Sequence, residues 1–295
     1  AEIIMGPRVW PSGATISQTA GHGDFRTPEE RSRKFFGDPS KAELLQATFI
    51  ADGRSEVLTA VRENLRFGAS QIKLMAGGGT SSAYDPVDVT QYTFDEMRAA
   101  VESAEDWGTY VTVHAYTARA VTRAIEAGVK CVEHGQLLDE KTLKLMAKKK
   151  IWLSLQNLVK DTPDMDLQRK PVLEGQEKVW PLAKKYKVKL AWGTDFLFEP
   201  ELNSQQNNYI LELQKWFTNA EILKMVTHDN AELLQLSGLR SPYPGKLGVI
   251  EAGALADVIL VDGNPLEDLK IIADPAEKFL VIMKNGKLVK NILDQ

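Results

Sequence analysis

Four apolar runs in this sequence each end in one ionisable residue, and this repeated pattern restricts the fold more than any other feature. The residues are Lys73 in QIKLMAGGG, His114 in YVTVHAYT, His134 in VKCVEHGQ and Asp195 in VKLAWGTDF. Continuous Val/Ile/Leu runs are typical of strands that are buried on both faces of a parallel sheet. In (β/α)8 barrels the chemistry is done at the carboxyl ends of several such strands. The pattern therefore predicts that these four side chains gather there as a metal site.

Helical patterns separate these runs. Thr93 with Glu96 three residues later is a capping box, Thr218 with Glu221 is a second one, and Gly128 is a helix stop. We predict strands ending near residues 19, 75, 114, 134, 156 and 195, and helices over 41–67, 94–104, 117–127, 139–149, 176–186 and from 218 onwards. The alternation indicates the α/β class and a (β/α)8 TIM-type barrel in which strands three to eight are present. An open doubly wound sheet is the alternative, but GGGTSS lacks the spacing of a dinucleotide-binding or P-loop turn.

The C-terminal part follows another pattern. LADVILVDG and FLVIMKNGKLVKN are typical of strands, with a hairpin turn at Asn285-Gly286. We therefore divide the chain into a barrel over 1–240 and part of a small β-sandwich over 241–295. Because the sequence has no initiating Met and begins in a strand-like segment, we expect the N-terminus to be truncated. The remaining barrel strands and the sandwich partners would then lie upstream.

Composition excludes several classes of function. The 295 residues carry a net charge of −4 without any basic stripe, which argues against nucleic-acid or membrane-surface partners but is compatible with a homo-oligomer. The single cysteine, Cys131, excludes an internal disulfide framework and a Cys-rich zinc site. No apolar run approaches the ~20 residues that span a bilayer, and no signal peptide is visible. A cytoplasmic location is favoured on this basis.

The sequence resembles the amidohydrolase superfamily, and within it the imidazolonepropionase-like branch of Xaa-Pro dipeptidases and related carboxypeptidases. The matching segments are GPRVWPSGATISQTAGHGD, IKLMAGGG, VTVHAYT, VEHGQ, LSLQN and AWGTD, followed by THDNAELLQLSG and GKLGVIEAGALADVILVDGNPLED. The resemblance implies a metal-dependent hydrolase that acts on a small molecule through a metal-activated hydroxide. Its substrate would be a dipeptide such as Xaa-Pro, or an N-acyl amino acid, and its amide bond would be cut.

The resemblance also implies the site residues. One or two divalent cations, zinc in the first place, would be held by Lys73, His114, His134 and Asp195. Lys73 matches a lysine that is typically carboxylated and bridges two metals, and Asp195 matches the catalytic aspartate that handles the proton. Tyr116 and His22 are expected to contact the substrate.

The pattern of this family includes a His-x-His pair on strand one that does not occur in this sequence. Either the pair lies upstream, which we favour, or this variant has lost half of its centre. The chain by itself is then expected to assemble half a binuclear site, to be poorly stable and to be inactive.

Other interpretations stay open. A lone buried histidine is commonly a core residue, Lys73 could be an ion-pair partner, Asp195 could cap the next segment, and Tyr116 could be a packed aromatic. A cyclic amidohydrolase of the imidazolonepropionase type would use the same metal site. A Schiff-base lyase with Lys73 as its nucleophile would be insensitive to chelators. A metal-deficient, non-catalytic barrel would lack the His-x-His pair in the complete reading frame.

Overall fold

The structure is a computed structural model that describes residues 6–80, 84–156, 168–196 and 200–293. Its strands are β1 (Thr15–Ser17), β2 (Thr48–Ile50), β3 (Ile72–Met75), β4 (Val111–Thr117), β5 (Cys131–Leu137), β6 (Trp152–Leu155), β7 (Lys189–Trp192), β8 (Val258–Val261), β9 (Phe279–Lys284) and β10 (Lys287–Asn291). A seven-stranded sheet has the order β2-β1-β3-β4-β5-β6-β7, and β1 to β5 pair in parallel. Strands β8 to β10 form a separate antiparallel sheet in the order β10-β9-β8.

Helices alternate with the strands of the larger sheet, as the sequence predicts. The α-helices are α1 (Arg33–Phe36), α2 (Lys41–Leu44), α3 (Arg54–Arg66), α4 (Phe94–Asp106), α5 (Ala118–Ala127), α6 (Glu140–Lys149), α7 (Arg169–Lys185), α8 (Pro200–Asn203), α9 (Gln206–Glu212), α10 (Asn219–Lys224), α11 (Asn230–Leu234), α12 (Lys270–Ala273) and α13 (Pro275–Lys278). A π-helical turn over Met225–Asp229 joins α10 to α11. None of the described helices combines the length and the apolar character that crossing a bilayer requires.

The chain divides into two compact units. The first contains the described residues of 6–153, 168–189 and 234–243, and the second those of 154–156, 190–233 and 244–293. Strands β1 to β5 lie wholly in the first unit, and β8 to β10 lie wholly in the second.

Local signals explain where the helices around the central strands begin and end. The Thr93 side chain accepts a hydrogen bond from the Glu96 amide, and the Glu96 side chain accepts one from the Thr93 amide, which confirms the predicted capping box. Helix α5 ends at Gly128, whose φ of 106° suits a residue without a Cβ. The apolar face of α4, which includes Met97 and Val101, is fully buried.

One strand was not predicted. The helix expected over 41–67 is interrupted by β2, which pairs in parallel with β1 through Thr15↔Thr48 and Ser17↔Ile50. Helix α2 ends at Leu44, and Gln46 adopts a left-handed φ of 56°. The strand exists because β1 is available as a partner, which is a tertiary condition that propensity does not reveal. The strand-like segment with which the sequence begins does not form a strand in its described part: residues 6–10 have no regular secondary structure, and 1–5 lie outside the described residues.

The predicted hairpin turn in the smaller sheet is confirmed. Asn285 and Gly286 have φ values of 54° and 77°, as the central residues of a type I′ turn require. Strands β9 and β10 pair on either side of it, beginning with Lys284 opposite Lys287.

Candidate metal centre

The first unit places Lys73, His114 and His134 on three adjacent parallel strands. Met75 pairs with His114, and Ala115 pairs with His134, so both imidazoles stand at the same level of the sheet. Both histidines are nearly inaccessible, at 3% and 4% of their surface. Lys73 is half-buried and lies opposite Thr112, two residues nearer the start of the strands.

A backbone irregularity at His134 brings the two rings together. His114 pairs with Glu133, so regular alternation along β5 would direct the His134 side chain to the other face of the sheet. His134 and Gly135 instead have φ values of 78° and 72°, and the register shifts between Ala115 and Thr117. Left-handed φ is uncommon for a residue other than glycine and often marks a functional position. The ring centroids of His114 and His134 are 4.4 Å apart as a result.

His22 and Tyr116 complete an aromatic cluster around these two histidines. The ring of His22 stacks on His114 with centroids 4.1 Å apart and planes 14° apart. The ring of Tyr116 stacks on His134 at 5.0 Å and meets the His114 ring edge-on at 5.2 Å. Four of the predicted site residues therefore touch one another.

The glycines after β3 let the backbone pass directly beside this cluster. A Cβ on Gly79 would lie 1.8 Å from Cε1 of His22, and one on Gly78 would lie 1.9 Å from the Pro86 carbonyl oxygen. The Gly78 carbonyl oxygen lies 2.9 Å from Nε2 of His114. The GGG segment thus serves close packing against two histidines.

The environment of His114 suits a metal ligand. Burial, together with the nearby charges of His134, His22 and Lys73, holds the pKa of His114 well below its ordinary value. The ring is therefore neutral at physiological pH, as metal ligation requires. Because a carbonyl oxygen only accepts hydrogen bonds, the Gly78 contact places the proton on Nε2 and leaves the lone pair of Nδ1 for an ion. The donor set fits a divalent cation.

Two carboxylates in this region, one buried and one half-buried, were not predicted. Asp85 Oδ2 accepts a hydrogen bond from Nδ1 of His22 at 2.9 Å, and the Asp85 side chain is 1% exposed. Glu133 Oε1 accepts a hydrogen bond from the Thr112 hydroxyl at 2.6 Å. Asp85 shares its loop with Asp88, so the sequence alone does not single it out. Glu133 directly precedes His134 in the VEHG segment. The sequence does not show that Glu133 lies next to Thr112 on β4.

Asp195 belongs to the second unit. It follows β7 by three residues and has a φ of 56°. Its carboxylate accepts a hydrogen bond from the side-chain amide of Gln156 at 3.1 Å. The end of β7 is secured by Asn230, whose side-chain amide exchanges two 2.9 Å hydrogen bonds with the Trp192 backbone. The roles predicted for Asp195 and for the first-unit residues stay predictions.

Another group of possible ligands lies in the second unit. His228, Asp229 and Glu232 bring one ligand atom each within 4.8 Å of one another. Asp229, however, already pairs with Nδ1 of His228 at 2.8 Å and with the Lys224 ammonium. This group is solvent-accessible and lies on the helical segment after β7, so it differs from the enclosed cluster around His114.

Comparison with known proteins agrees with the fold. The chain is 33% identical to the ochratoxinase of Aspergillus niger over 309 aligned positions, which cover 97% of this chain and 61% of that protein. A prolidase solved in complex with N-methylphosphonate-L-proline has 34% identity and a TM-score of 0.87, covering 99% of this chain and 71% of that one. A Xaa-Pro dipeptidase with methionine bound in its active site has 29% identity and a TM-score of 0.79, covering 98% and 70%.

These likenesses confirm a TIM-barrel-like fold with a small antiparallel C-terminal sheet. The chain spans 61% of the length of the curated ochratoxinase, so the activity of a whole protein is a separate question. The family model for the amidohydrolase family matches residues 1–289. With this match and the 33% identity to ochratoxinase, the chain belongs to the amidohydrolase family.

Proposed function

We propose that this chain forms the metal-binding part of a hydrolase that cleaves the amide bond of an Xaa-Pro dipeptide or an N-acyl amino acid. The observation that carries the proposal is the enclosed pair of imidazoles of His114 and His134, with centroids 4.4 Å apart. Strand alternation alone would have separated them, so the irregular backbone at His134 has a role that packing does not require. Members of the amidohydrolase family generally bind divalent metals.

The residues that would hold the ion are His114, His134, Asp195 and Lys73, the last as a carbamate. Imidazole nitrogens suit zinc, although the same donors also accept other divalent ions. When bound, a divalent cation lowers the pKa of a water molecule and polarises the scissile carbonyl.

The remaining steps fall to the side chains. Asp195, oriented by the side-chain amide of Gln156 at 3.1 Å, would accept a proton from the attacking water and pass it to the leaving amine nitrogen. His22, oriented by Asp85, and the hydroxyl of Tyr116 would hold the substrate. The His22 imidazole is fixed from two directions, by the 2.9 Å hydrogen bond to Asp85 and by stacking on His114.

The similar proteins support a prolyl dipeptide as the first substrate to test. One is a prolidase crystallised with N-methylphosphonate-L-proline, and another is a Xaa-Pro dipeptidase. Ochratoxinase is the curated relative with 33% identity.

The test begins with metal content, because binding of an ion does not require turnover. The chelator-treated chain is reconstituted with zinc, and its bound metal and its affinity for N-methylphosphonate-L-proline are measured. We expect zinc uptake and zinc-dependent binding of the phosphonate. A chain that takes up no zinc and binds the phosphonate equally with and without it would refute the proposal.

Two further measurements refine it. Labelled bicarbonate should give a carbamate carbon signal in the wild-type chain that is absent from Lys73→Arg. Hydrolysis of Ala-Pro by the 295-residue chain is not expected, because the sequence has no His-x-His pair. Turnover would contradict the expected inactivity of the chain but would not contradict the proposed metal site.

A further inference from the structure

A cavity of about 380 Å³ in the first unit is lined by sequence neighbours of His22 and of its partner Asp85. Gly21 and Tyr84 line it, and they directly precede His22 and Asp85 in the sequence. His22 and Asp85 are joined by a 2.9 Å hydrogen bond, so the backbone of the cavity wall continues directly into both partners. Its volume is in the range typical of small-molecule sites, ~300–1,000 Å³.

The apolar wall of the cavity consists of exposed aromatic side chains. Phe35, Phe36 and Tyr84 are 81%, 65% and 60% exposed and all line the cavity. The two phenylalanines are consecutive on α1, a short helix without a buried residue. A group of exposed aromatic rings around a concavity is typical of a binding site, since the protein gains no core packing from them.

The helix that carries the two phenylalanines is held in place by ion pairs of Lys34. The Lys34 ammonium lies 2.7 Å from a carboxylate oxygen of both Asp52 and Glu56. At the end of the helix, Gly37 has a φ of 91°, and its amide donates to the Arg33 carbonyl at 2.8 Å. The aromatic rings are therefore presented by an attached segment, and the pocket exists before any ligand arrives.

The charges that line the cavity cancel one another. Asp24 and Arg26 form a two-pronged ion pair with contacts of 2.7 and 2.5 Å, which raises the pKa of Arg26. Glu30 and Arg31 also line the cavity, so its carboxylates and guanidiniums are equal in number. The Glu30 carboxylate accepts from the amides of Thr27 and Lys41 at 2.9 and 2.8 Å. Such a cavity suits an uncharged aromatic group better than a carboxylate.

We propose that this cavity is a specificity pocket for an aromatic or bulky apolar side chain on the acyl half of the substrate. The inference rests on the proposed hydrolysis of a dipeptide or N-acyl amino acid. The amino acid that this reaction releases carries a carboxylate, so an electrically balanced aromatic pocket beside His22 suits the other half. The pocket would make Phe-Pro a better ligand than Ala-Pro.

The experiment compares the dissociation constants of Phe-Pro and Ala-Pro by calorimetry with the zinc-loaded chain, with kcat/KM taken in addition if turnover occurs. We expect Phe-Pro to bind the wild-type chain about tenfold or more tightly than Ala-Pro, the scale on which apolar pockets discriminate. In Phe35→Ala/Phe36→Ala this ratio should approach one through weaker binding of Phe-Pro, with Ala-Pro unchanged. Phe67→Ala is the matched control, because Phe67 is 59% exposed in the same unit and does not line the cavity.

Tyr84→Ala provides a second variant on another segment, and circular dichroism establishes that each variant is folded. A Phe-Pro to Ala-Pro ratio that is unchanged in both the Phe35/Phe36 and the Tyr84 variants would overturn the proposal. A variant that alters discrimination between Ala-Pro and Ala-Phe, but not between Phe-Pro and Ala-Pro, would also overturn it, since the cavity would then take the leaving amino acid.

Failure of the pocket and failure of the proposed function are distinguished by ligands that contain only the acyl half. Phenylalaninamide and alaninamide need no metal, and ligand-observed NMR measures both. Preference for phenylalaninamide that disappears in Phe35→Ala/Phe36→Ala supports the pocket even if the chain takes up no zinc. Equal binding of the two amides, in a chain that takes up zinc and binds the prolyl phosphonate, would reject the pocket alone.

Discussion

The strands β3 to β5 of the first unit and the strands β8 to β10 of the second arise from the same kind of apolar sequence but have opposite surroundings. VTVHAYT in β4 is buried at every position except the last, whereas VILV in β8 contains no buried residue. Strand β4 pairs with a strand on each side, and the neighbouring helices α4 and α5 each have a buried apolar face. An apolar run therefore predicts a strand, but the neighbours of that strand determine whether it is buried.

The polar residues of the two regions differ in the same way. In β4 and β5 the histidines are enclosed and contact one another, which is costly unless the groups have partners or a function. In β10 the lysines lie on an edge strand, where charge discourages pairing with other chains. The Lys290 ammonium also donates to the carbonyl oxygens of Pro275 and Ala276, so it has partners within its own unit.

The largest difference between the two regions should appear when one leucine in each is truncated to alanine. Leu74→Ala in β3 removes a side chain that is fully buried, and we expect the free energy of unfolding to fall by about 2–5 kcal/mol. Leu260→Ala in β8 alters a residue that is 47% exposed and should change it by less than about 0.5 kcal/mol. Urea denaturation measures both. Equal losses would show that the two sheets do not differ as described.

Removing one imidazole from the cluster should weaken metal binding selectively. For His134→Ala we expect zinc affinity to fall by more than ~100-fold, the upper end for losing a residue that only supports a ligand. His228→Ala, in the second unit, is the matched control and should keep the wild-type affinity. If His228→Ala has the larger effect, the ion is held by the group that includes Asp229 and Glu232 instead.

Alanine substitution at one glycine in each unit tests how closely other atoms pack against the backbone there. Gly79→Ala would place a Cβ 1.8 Å from the His22 ring, which is held by Asp85 and cannot move freely. We expect a loss of about 1–3 kcal/mol in the free energy of unfolding. Gly193→Ala in the second unit has no atom within 4 Å of the new Cβ and should have almost no effect. Thermal or urea unfolding of both variants tests this, and a neutral Gly79→Ala would contradict the close packing of the loop.

The smallest effect concerns pH. The folded chain depresses the pKa of His114, chiefly through burial, so below pH ~6.5 the unfolded chain binds a proton that the folded chain does not. The stabilisation is fully present above the unfolded pKa and is lost as the pH falls towards the folded value. For the metal-free protein we expect the free energy of unfolding to decline below pH ~6.5 because of this group. His114→Asn should show a shallower decline, and an identical slope would contradict the depressed pKa.

Much of both units could be predicted from local patterns. Capping residues such as Thr93, the helix stop at Gly128 and the hairpin residues Asn285 and Gly286 act through contacts within a few residues, so their effects are legible in the sequence. Strand β2 could not be predicted, because its three residues form a strand only beside β1. The same limit applies to Asp85, which becomes a site residue only through His22, 63 positions away.

By itself the sequence determined the alternation of strands and helices, the positions of most helix ends, and the presence of lone ionisable groups within or just after apolar strands. These features depend on short-range hydrogen bonds and on the period of apolar residues. Only the tertiary structure decided that His134 turns to the same face as His114, that Asp85 orients His22, and that Phe35 and Phe36 face a cavity. These relations depend on one left-handed backbone angle and on contacts between distant segments, and neither leaves a periodic trace in the sequence.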